Sequence, residues 1–364
     1  MGLMRGNLLT APLLLLLLLG SLVPSNAFWS ASPLVSTFLP QRSIPPASTC
    51  QSIPTRPGSS LLLCSTGGWP VAPLDYIEPL FRPPAEHSSF ILQVTNGCSW
   101  NKCSFCDMYT ADGKEFRPKP LEFIEEELRI IGSLDLPVKR IFLADGDAMT
   151  LPTKRLKDIL SLIQKHVKSR LQRVSCYCLP RNVAGKTVEE LRELRGMGLS
   201  LVYVGCESGD DEVLERIIKG ETYDSSLGAL LKLGEAGIKR SVMILNGLGG
   251  PELSEQHMVN TARLMNAAQP ELLSTLVVSF PLGTDRFEAT SPGFRMLTQR
   301  ELFSEMEVLI SHLSLDKTIF RSDHASNYLP LKGVLSRDTD KMLSQLRDAK
   351  EGRAPLRPEW ARGL

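Results

Sequence analysis

Between residues 90 and 311, short apolar runs alternate with amphipathic stretches, and this alternation limits the folds open to the chain. Residues 90–94 read as a first strand. Leu121, Ile124, Leu128 and Ile131 follow at steps of 3, 4 and 3, one face of a helix. Residues 140–144 form a second apolar run, and Leu156, Ile159, Leu160, Ile163 and Val167 a second helical face. A third strand, residues 174–178, is stopped by Pro180. Thr187 and Glu190 have the spacing of a capping box opening the next helix. Strands are expected again at 201–205, 242–245 and 273–280, with helices at 210–219, 224–236, 252–268, 299–311 and 338–348. Alternation at this pitch implies parallel βαβ units. The expected class is α/β: a (β/α)6 partial TIM-type barrel with a short C-terminal extension. Such barrels place their chemistry at the C-terminal ends of the strands.

The loop after the first strand carries Cys98, Cys103 and Cys106. Three close thiols without a fourth nearby suggest a metal site with one open position. A [4Fe–4S] cluster is normally closed by four thiolates; held by three, it leaves one iron free. The alternative is zinc held by three thiolates and a histidine, and the nearest upstream histidine is His87.

Composition bears mainly on the N-terminus. Arg5 precedes an unbroken leucine run from Leu13 to Leu19, too short to span a bilayer. Ser25-Asn26-Ala27 then offers a signal-peptidase pattern. Residues 28–68 are rich in Ser, Thr and Pro, and no Asp or Glu occurs before Asp75, as in organelle transit peptides. The expected order is signal peptide (1–27), transit-like disordered segment (28–68), lead-in (69–87), core (88–310) and extension (311–364). A signal peptide followed by a transit-like segment beginning at Phe28 resembles the bipartite plastid presequence of algae with complex plastids. Plastid is the expected address, with the secretory pathway or another organelle as the alternative. Without Arg5, Arg42 and Arg56 the mature chain has 38 bases against 40 acids, near −2. No basic block points to nucleic acid, and no later apolar segment is long enough to cross a membrane.

The cysteine run resembles the cluster loop of the radical S-adenosylmethionine (radical SAM) superfamily, with Phe105 as the aromatic between the last two cysteines. Its spacing is C-x4-C-x2-C, where C-x3-C-x2-C is usual. The resemblance covers residues 88–310 and points to the branch of oxygen-independent coproporphyrinogen oxidase and magnesium-protoporphyrin cyclase. It implies that Cys98, Cys103 and Cys106 hold a [4Fe–4S] cluster whose open iron is chelated by the amino and carboxylate groups of SAM. Asp145-Gly146-Asp147 stands where the family has Gly-Gly-Glu, implying contact with the SAM amino group. Gly205-Cys206-Glu207-Ser208-Gly209 resembles the family's Gly-x-Glu-Ser-Gly, implying ribose contacts from Glu207 and Ser208. Gly247 lies in the loop that the family sets against the adenine. Arg181, after the third strand, has the fork geometry for the SAM carboxylate. A plain acidic turn, a capped helix start, a glycine turn and a surface arginine are the respective alternatives.

The implied activity is reductive cleavage of SAM to a 5′-deoxyadenosyl radical that abstracts hydrogen from a substrate, small molecule or peptide, that the sequence does not identify. The implied partner is a low-potential electron donor such as ferredoxin or flavodoxin. A zinc-stabilised binding protein without catalysis, or a degenerate fold that keeps its cluster, are the competing readings. His324, Asn327 and Tyr328 are expected to contact substrate, in a tail over residues 321–331 that closes the open side of the barrel; a polar connector is the alternative. Asp285 and Arg286 are weaker candidates of the same kind. Cys176, Cys178 and Cys206 are expected either in the pocket or as small core residues.

Overall fold

The computed structural model describes residues 51–54, 60–63, 74, 76–134, 136–167 and 171–362. The signal peptide, most of the transit-like segment, Cys50 and Cys64 lie outside them. Inside the segment expected to be disordered, Gln51–Pro54 and Ser60–Leu63 pair as antiparallel strands.

The main sheet has eight strands. They are β1 (Phe90–Gln93), β2 (Arg140–Ala144), β3 (Arg173–Cys178), β4 (Leu199–Glu207), β5 (Lys239–Asn246), β6 (Leu272–Val277), β7 (Ile319–Ser322) and β8 (Leu331–Val334). Each strand pairs with the next in sequence, and every pairing is parallel except β7 with β8. The first six strands are the expected units. The C-terminal extension differs from expectation: it adds β7 and β8 to the same sheet instead of a loop over the barrel. Among the described residues no ladder joins β1 to β8, so the barrel is open on that side.

Helices cover the outer face. They are α1 (Leu121–Ser133), α2 (Thr153–His166), α3 (Val188–Gly196), α4 (Asp211–Arg216), α5 (Tyr223–Glu235), α6 (Gly250–Ala268), α7 (Gln299–His312) and α8 (Thr339–Lys350). Their starts are written locally. Thr187 with Glu190, Thr222 with Ser225 and Thr298 with Glu301 form reciprocal capping boxes at α3, α5 and α7. The periodic faces read from the sequence are buried: Ile124, Leu128 and Ile131 of α1, and Leu156, Ile159, Leu160 and Ile163 of α2. Each such side chain contributes about 1.5–3 kcal/mol on burial.

Strand alternation sorts the two faces. Leu92, Leu143, Val174, Cys176, Cys178, Val204, Cys206 and Ile244 share the core with the helices. Cys176, Cys178 and Cys206 therefore do not line the barrel interior; they are packing residues, and burial pushes all three thiols up. The interior carries Phe142, Ala144, Leu201 and Tyr203, joined by Ile91, Tyr177, Met243 and Leu272. Phe142, Tyr177 and Tyr203 meet edge to face at 5.2–6.2 Å.

The lead-in before β1 fills part of this interior. Leu80 packs against the aromatic cluster. Glu86, wholly buried, accepts from Arg173 at 2.6 Å, Ser175 at 3.0 Å and Tyr203 at 2.7 Å. The tail was expected to cover the barrel; the lead-in packs into it instead.

Candidate active site

The cysteine loop is a closed excursion. It leaves β1 through Thr95–Asn96, which pairs antiparallel with Arg117–Pro118 on the way back. Two glycines bring the backbones of the β1 and β2 ends together. Gly97 has φ +68°, and a Cβ there would lie 2.0 Å from the Lys114 carbonyl oxygen. Gly146 has φ +43°, and its Cβ would lie 2.0 Å from the Gly97 carbonyl oxygen and 2.8 Å from the Cys98 Cα. No side chain fits at either place.

The Asp145-Gly146-Asp147 turn holds the loop from both flanks. Asp147 accepts the Ser99 backbone N–H at 2.8 Å, the Ser99 hydroxyl, and Asn182 Nδ2 at 3.2 Å. Burial raises its carboxyl, and the bonds from Ser99 and Asn182 pull against that rise. Asp145 forms a fully buried ion pair with Lys114 at 2.6 Å, and Lys114 also donates to the Ile77 carbonyl at 2.7 Å. Desolvation offsets most of the attraction in such a pair, yet removing one partner costs about 3–5 kcal/mol.

The far side of the loop docks on the end of α4. Ser104 N–H donates to the Ile217 carbonyl at 2.9 Å, and Trp100 Nε1 to the Ile218 carbonyl at 2.8 Å. Phe105 packs into a cluster with Val213, Leu214, Ile217, Leu248 and Phe287. The longer step from Cys98 to Cys103 includes Asn101 in the left-handed region, at φ +44°. Arg286 donates to the Cys106 carbonyl at 2.8 Å, which ties the segment after β6 to the loop.

All three thiols are free, Cys103 buried and Cys98 and Cys106 half-buried. Burial pushes each of them up, Cys106 to about 11; Asp147 adds to the rise at Cys98, and Lys219 opposes it at Cys103. Lys219 is itself buried, 3.0 Å from Glu207. Burial pulls its ammonium down, but Glu207 and the Cys103 thiol more than offset this, so it stays charged. Glu207 sits at a bulge where the β4–β5 register shifts, with φ +64°.

The donor set fits an iron–sulfur cluster. Three thiols share one loop, and the buried Lys219 favours their deprotonation. The Ser104 hydroxyl is buried with no partner among the described residues. His87 does not join them: its ring nitrogen faces the Pro84 carbonyl at 3.2 Å. Among the described residues no three His, Cys, Asp or Glu side chains close on a single metal ion.

Residues 92–265 match the radical SAM superfamily. Those residues form a radical SAM domain, a kind of domain that binds a [4Fe–4S] cluster and SAM. An uncharacterised methyltransferase of Pyrococcus horikoshii is 30% identical over 149 residues, which are 41% of this chain and 30% of that protein. The chain therefore spans less than a third of this curated relative. Coproporphyrinogen III oxidase of Escherichia coli is similar in structure at TM-score 0.48 and 15% identity, over 61% of this chain and 51% of that one. Methylornithine synthase is similar at TM-score 0.43 and 16% identity, over 74% and 83%.

Several side chains in and around the radical SAM domain are engaged differently from the sequence expectation. Arg181, expected to face the SAM carboxylate, donates to Glu221 at 2.7 Å and to the Lys219 and Gly220 carbonyls, and stacks 3.8 Å over Trp100. Ser208, expected near ribose, has no exposed surface. Its hydroxyl lies 2.7 Å from His257 Nδ1 and accepts from the Asp210 N–H at 2.9 Å. Gly247 donates its N–H to Glu305 at 2.6 Å.

The three expected substrate residues are engaged in packing. Asn327 is buried and donates to the Thr275 carbonyl at 2.9 Å. Tyr328 packs on Val277, Leu297 and Leu302 beneath the Arg362 guanidinium, 3.6 Å from its ring. His324 Nδ1 is paired with Ser326, and Arg357 donates to the His324, Ala325 and Asn327 carbonyls. This segment is clasped by the C-terminus rather than laid over the barrel.

Sequence reasoning missed Lys114, Lys219 and Glu305. Lys219 had been legible only as a helix-end base. Its burial depends on Glu207, twelve positions earlier, turning back at the bulge.

Proposed function

We propose that this chain binds one [4Fe–4S] cluster through Cys98, Cys103 and Cys106 and cleaves SAM reductively, generating a radical that abstracts hydrogen from a substrate held in the barrel. The observation that carries the reading is the packing of the Gly146 and Asp147 backbone and carboxylate against Gly97, Cys98 and Ser99. It fixes the cysteine loop at the C-terminal end of the barrel, beside the aromatic interior.

When bound, the cluster and SAM supply one-electron cleavage of a carbon–sulfur bond. The residues of the chain do the rest. The thiols give up their protons on metal binding, with Lys219 offsetting the negative charge that results. Asp147 keeps the loop in register and retains lone pairs for the SAM ammonium. Asp145, through its pair with Lys114, holds Gly146 where only backbone lines the site. Glu207, anchored by Lys219, presents the carboxylate for ribose hydroxyls, and the loop at Gly247 flanks the adenine. Phe142, Tyr177, Tyr203 and Leu80 form an interior from which water is excluded, as a reactive radical requires. A low-potential donor such as ferredoxin or flavodoxin supplies the electron. The N-terminal 68 residues are proposed to direct the chain to a plastid, on the order of leucine-rich core, Ser25-Asn26-Ala27-Phe28 and acid-free segment.

The test is anaerobic reduction of the iron-loaded protein with SAM and assay of 5′-deoxyadenosine and methionine. Formation of both is expected. Intact SAM after reduction of a fully loaded protein would exclude the activity.

A further inference from the structure

The inner face of the sheet does not stay apolar to its edge. In register, Gly205 of β4 pairs with Met243 of β5, Met243 with Ser274 of β6, Ser274 with Arg321 of β7, and Arg321 with Lys332 of β8. Residues paired in this way share a face. Phe320 and Leu331, the neighbours of Arg321 and Lys332, are buried on the opposite, helix-covered face. Arg321 and Lys332 therefore project on the barrel side, and both are exposed. Their row begins at Gly205, where a Cβ would lie 2.4 Å from Glu207 Oε1. Arg321 is three strand spacings from it, about 14 Å along the sheet.

Two cations directly opposite on neighbouring strands repel and cost stability. The local compensation is slight. Arg321 lies 3.6 Å from Asp323, and both are about half-exposed. Lys332 has no ion-pair or hydrogen-bond partner among the described residues. A lysine on β8 has a plain use as protection of an edge strand. That does not explain Arg321, whose strand is paired on both sides. Nor does overall charge explain the pair, since the chain is near neutral. The same open stretch exposes Ile319, two residues before Arg321 on the strand and so on the same face.

We infer that Arg321 and Lys332 form the anion-binding end of the substrate chamber, and that the substrate is an elongated molecule carrying a carboxylate or phosphate group. Its apolar body lies along Met243, Leu272 and Ile319, and its acidic end is held at the open edge between the two cations. The guanidinium supplies a planar fork and the ammonium a point charge. Binding of the anion also relieves the repulsion between them. This assignment rests on the proposed use of the barrel interior as the substrate chamber.

The test uses the iron-loaded protein with SAM bound, under anaerobic conditions at low salt. It is titrated calorimetrically with pyrophosphate and with citrate, and separately with SAM. Wild type is expected to bind at least one of the two anions, and the preferred one tells a phosphate-bearing from a carboxylate-bearing substrate. Arg321→Gln and Lys332→Gln should each weaken that binding about tenfold, and the double variant should abolish it. Lys341→Gln, an exposed change on α8, should leave it unaltered. Binding that persists in the double variant overturns the assignment, as does wild type that takes up SAM but neither anion. Failure of wild type to bind SAM would count instead against the proposed activity.

Discussion

Asp147 accepts the backbone N–H of Ser99 at 2.8 Å and the Ser99 hydroxyl beside it. One carboxylate at the end of β2 thus holds the residue that follows the first cysteine. A SAM-contacting role alone would leave the cysteine loop indifferent to Asp147. The hydrogen bonds tie the two together.

Asp147→Ala should therefore reduce iron retention as well as SAM affinity. Each hydrogen bond to a charged group is worth about 1.5–3 kcal/mol, and the substitution removes those from Ser99. Ser99→Ala keeps the backbone bond and should cost about half as much. Urea unfolding of the apo protein and iron analysis after reconstitution measure both. Full iron content with normal stability in Asp147→Ala would contradict the tie.

Gly146→Ala should prevent cluster loading. Its Cβ would meet the Gly97 carbonyl oxygen at 2.0 Å, and backbone cannot yield as a side chain does. Gly113, with φ +82° and nothing within 4 Å of its Cβ, is the control. Gly113→Ala meets only the left-handed backbone penalty, about 1–2 kcal/mol, and should still load iron. Equal iron content in the two variants would remove the steric explanation.

Glu305 gives a pH dependence of known sign. It accepts from Gly247 N–H at 2.6 Å and Ser254 Oγ at 2.5 Å, and burial raises its carboxyl to about 7. Between its unfolded value and about 7 the folded protein binds the extra proton, so stability present at low pH is lost as pH rises through 7. Relative to Glu305→Gln, wild type should lose on the order of 2–3 kcal/mol between pH 5 and pH 8. Denaturant unfolding of the apo forms at the two pH values measures it. Parallel behaviour of wild type and variant would show that Glu305 stays ionised throughout.

A fluorescent fusion of residues 1–75, expressed in an alga with complex plastids, should enter the plastid. Fluorescence in the medium or the cytosol would refute the address.

The six βα units were legible because each buries a periodic face; Ile124, Leu128 and Ile131 write α1 into the sequence at its own spacing. The cysteine loop was legible because thiols this close have few structural uses. What escaped depended on distant partners. β7 and β8 are four-residue strands whose alternation, Ile319 to Ser322, is too short to register. Ser208 could not be seen to meet His257, nor Arg181 to meet Glu221, because both pairs form only once β3, β4 and α6 are side by side. Residues 324–328 read as substrate contacts from their polar side chains alone; Arg357 and Arg362, about thirty positions on, hold the backbone carbonyls of 324–327, and the Asn327 amide turns to the Thr275 carbonyl.

The most direct measurement is electron paramagnetic resonance of the reduced protein with and without SAM, alongside Cys98→Ala, Cys103→Ala and Cys106→Ala. The wild type should show a reduced [4Fe–4S] signal that changes shape when SAM binds the open iron, and each variant should lose it. A signal that ignores SAM, or that survives loss of any one of the three cysteines, would contradict a three-cysteine cluster with an open site.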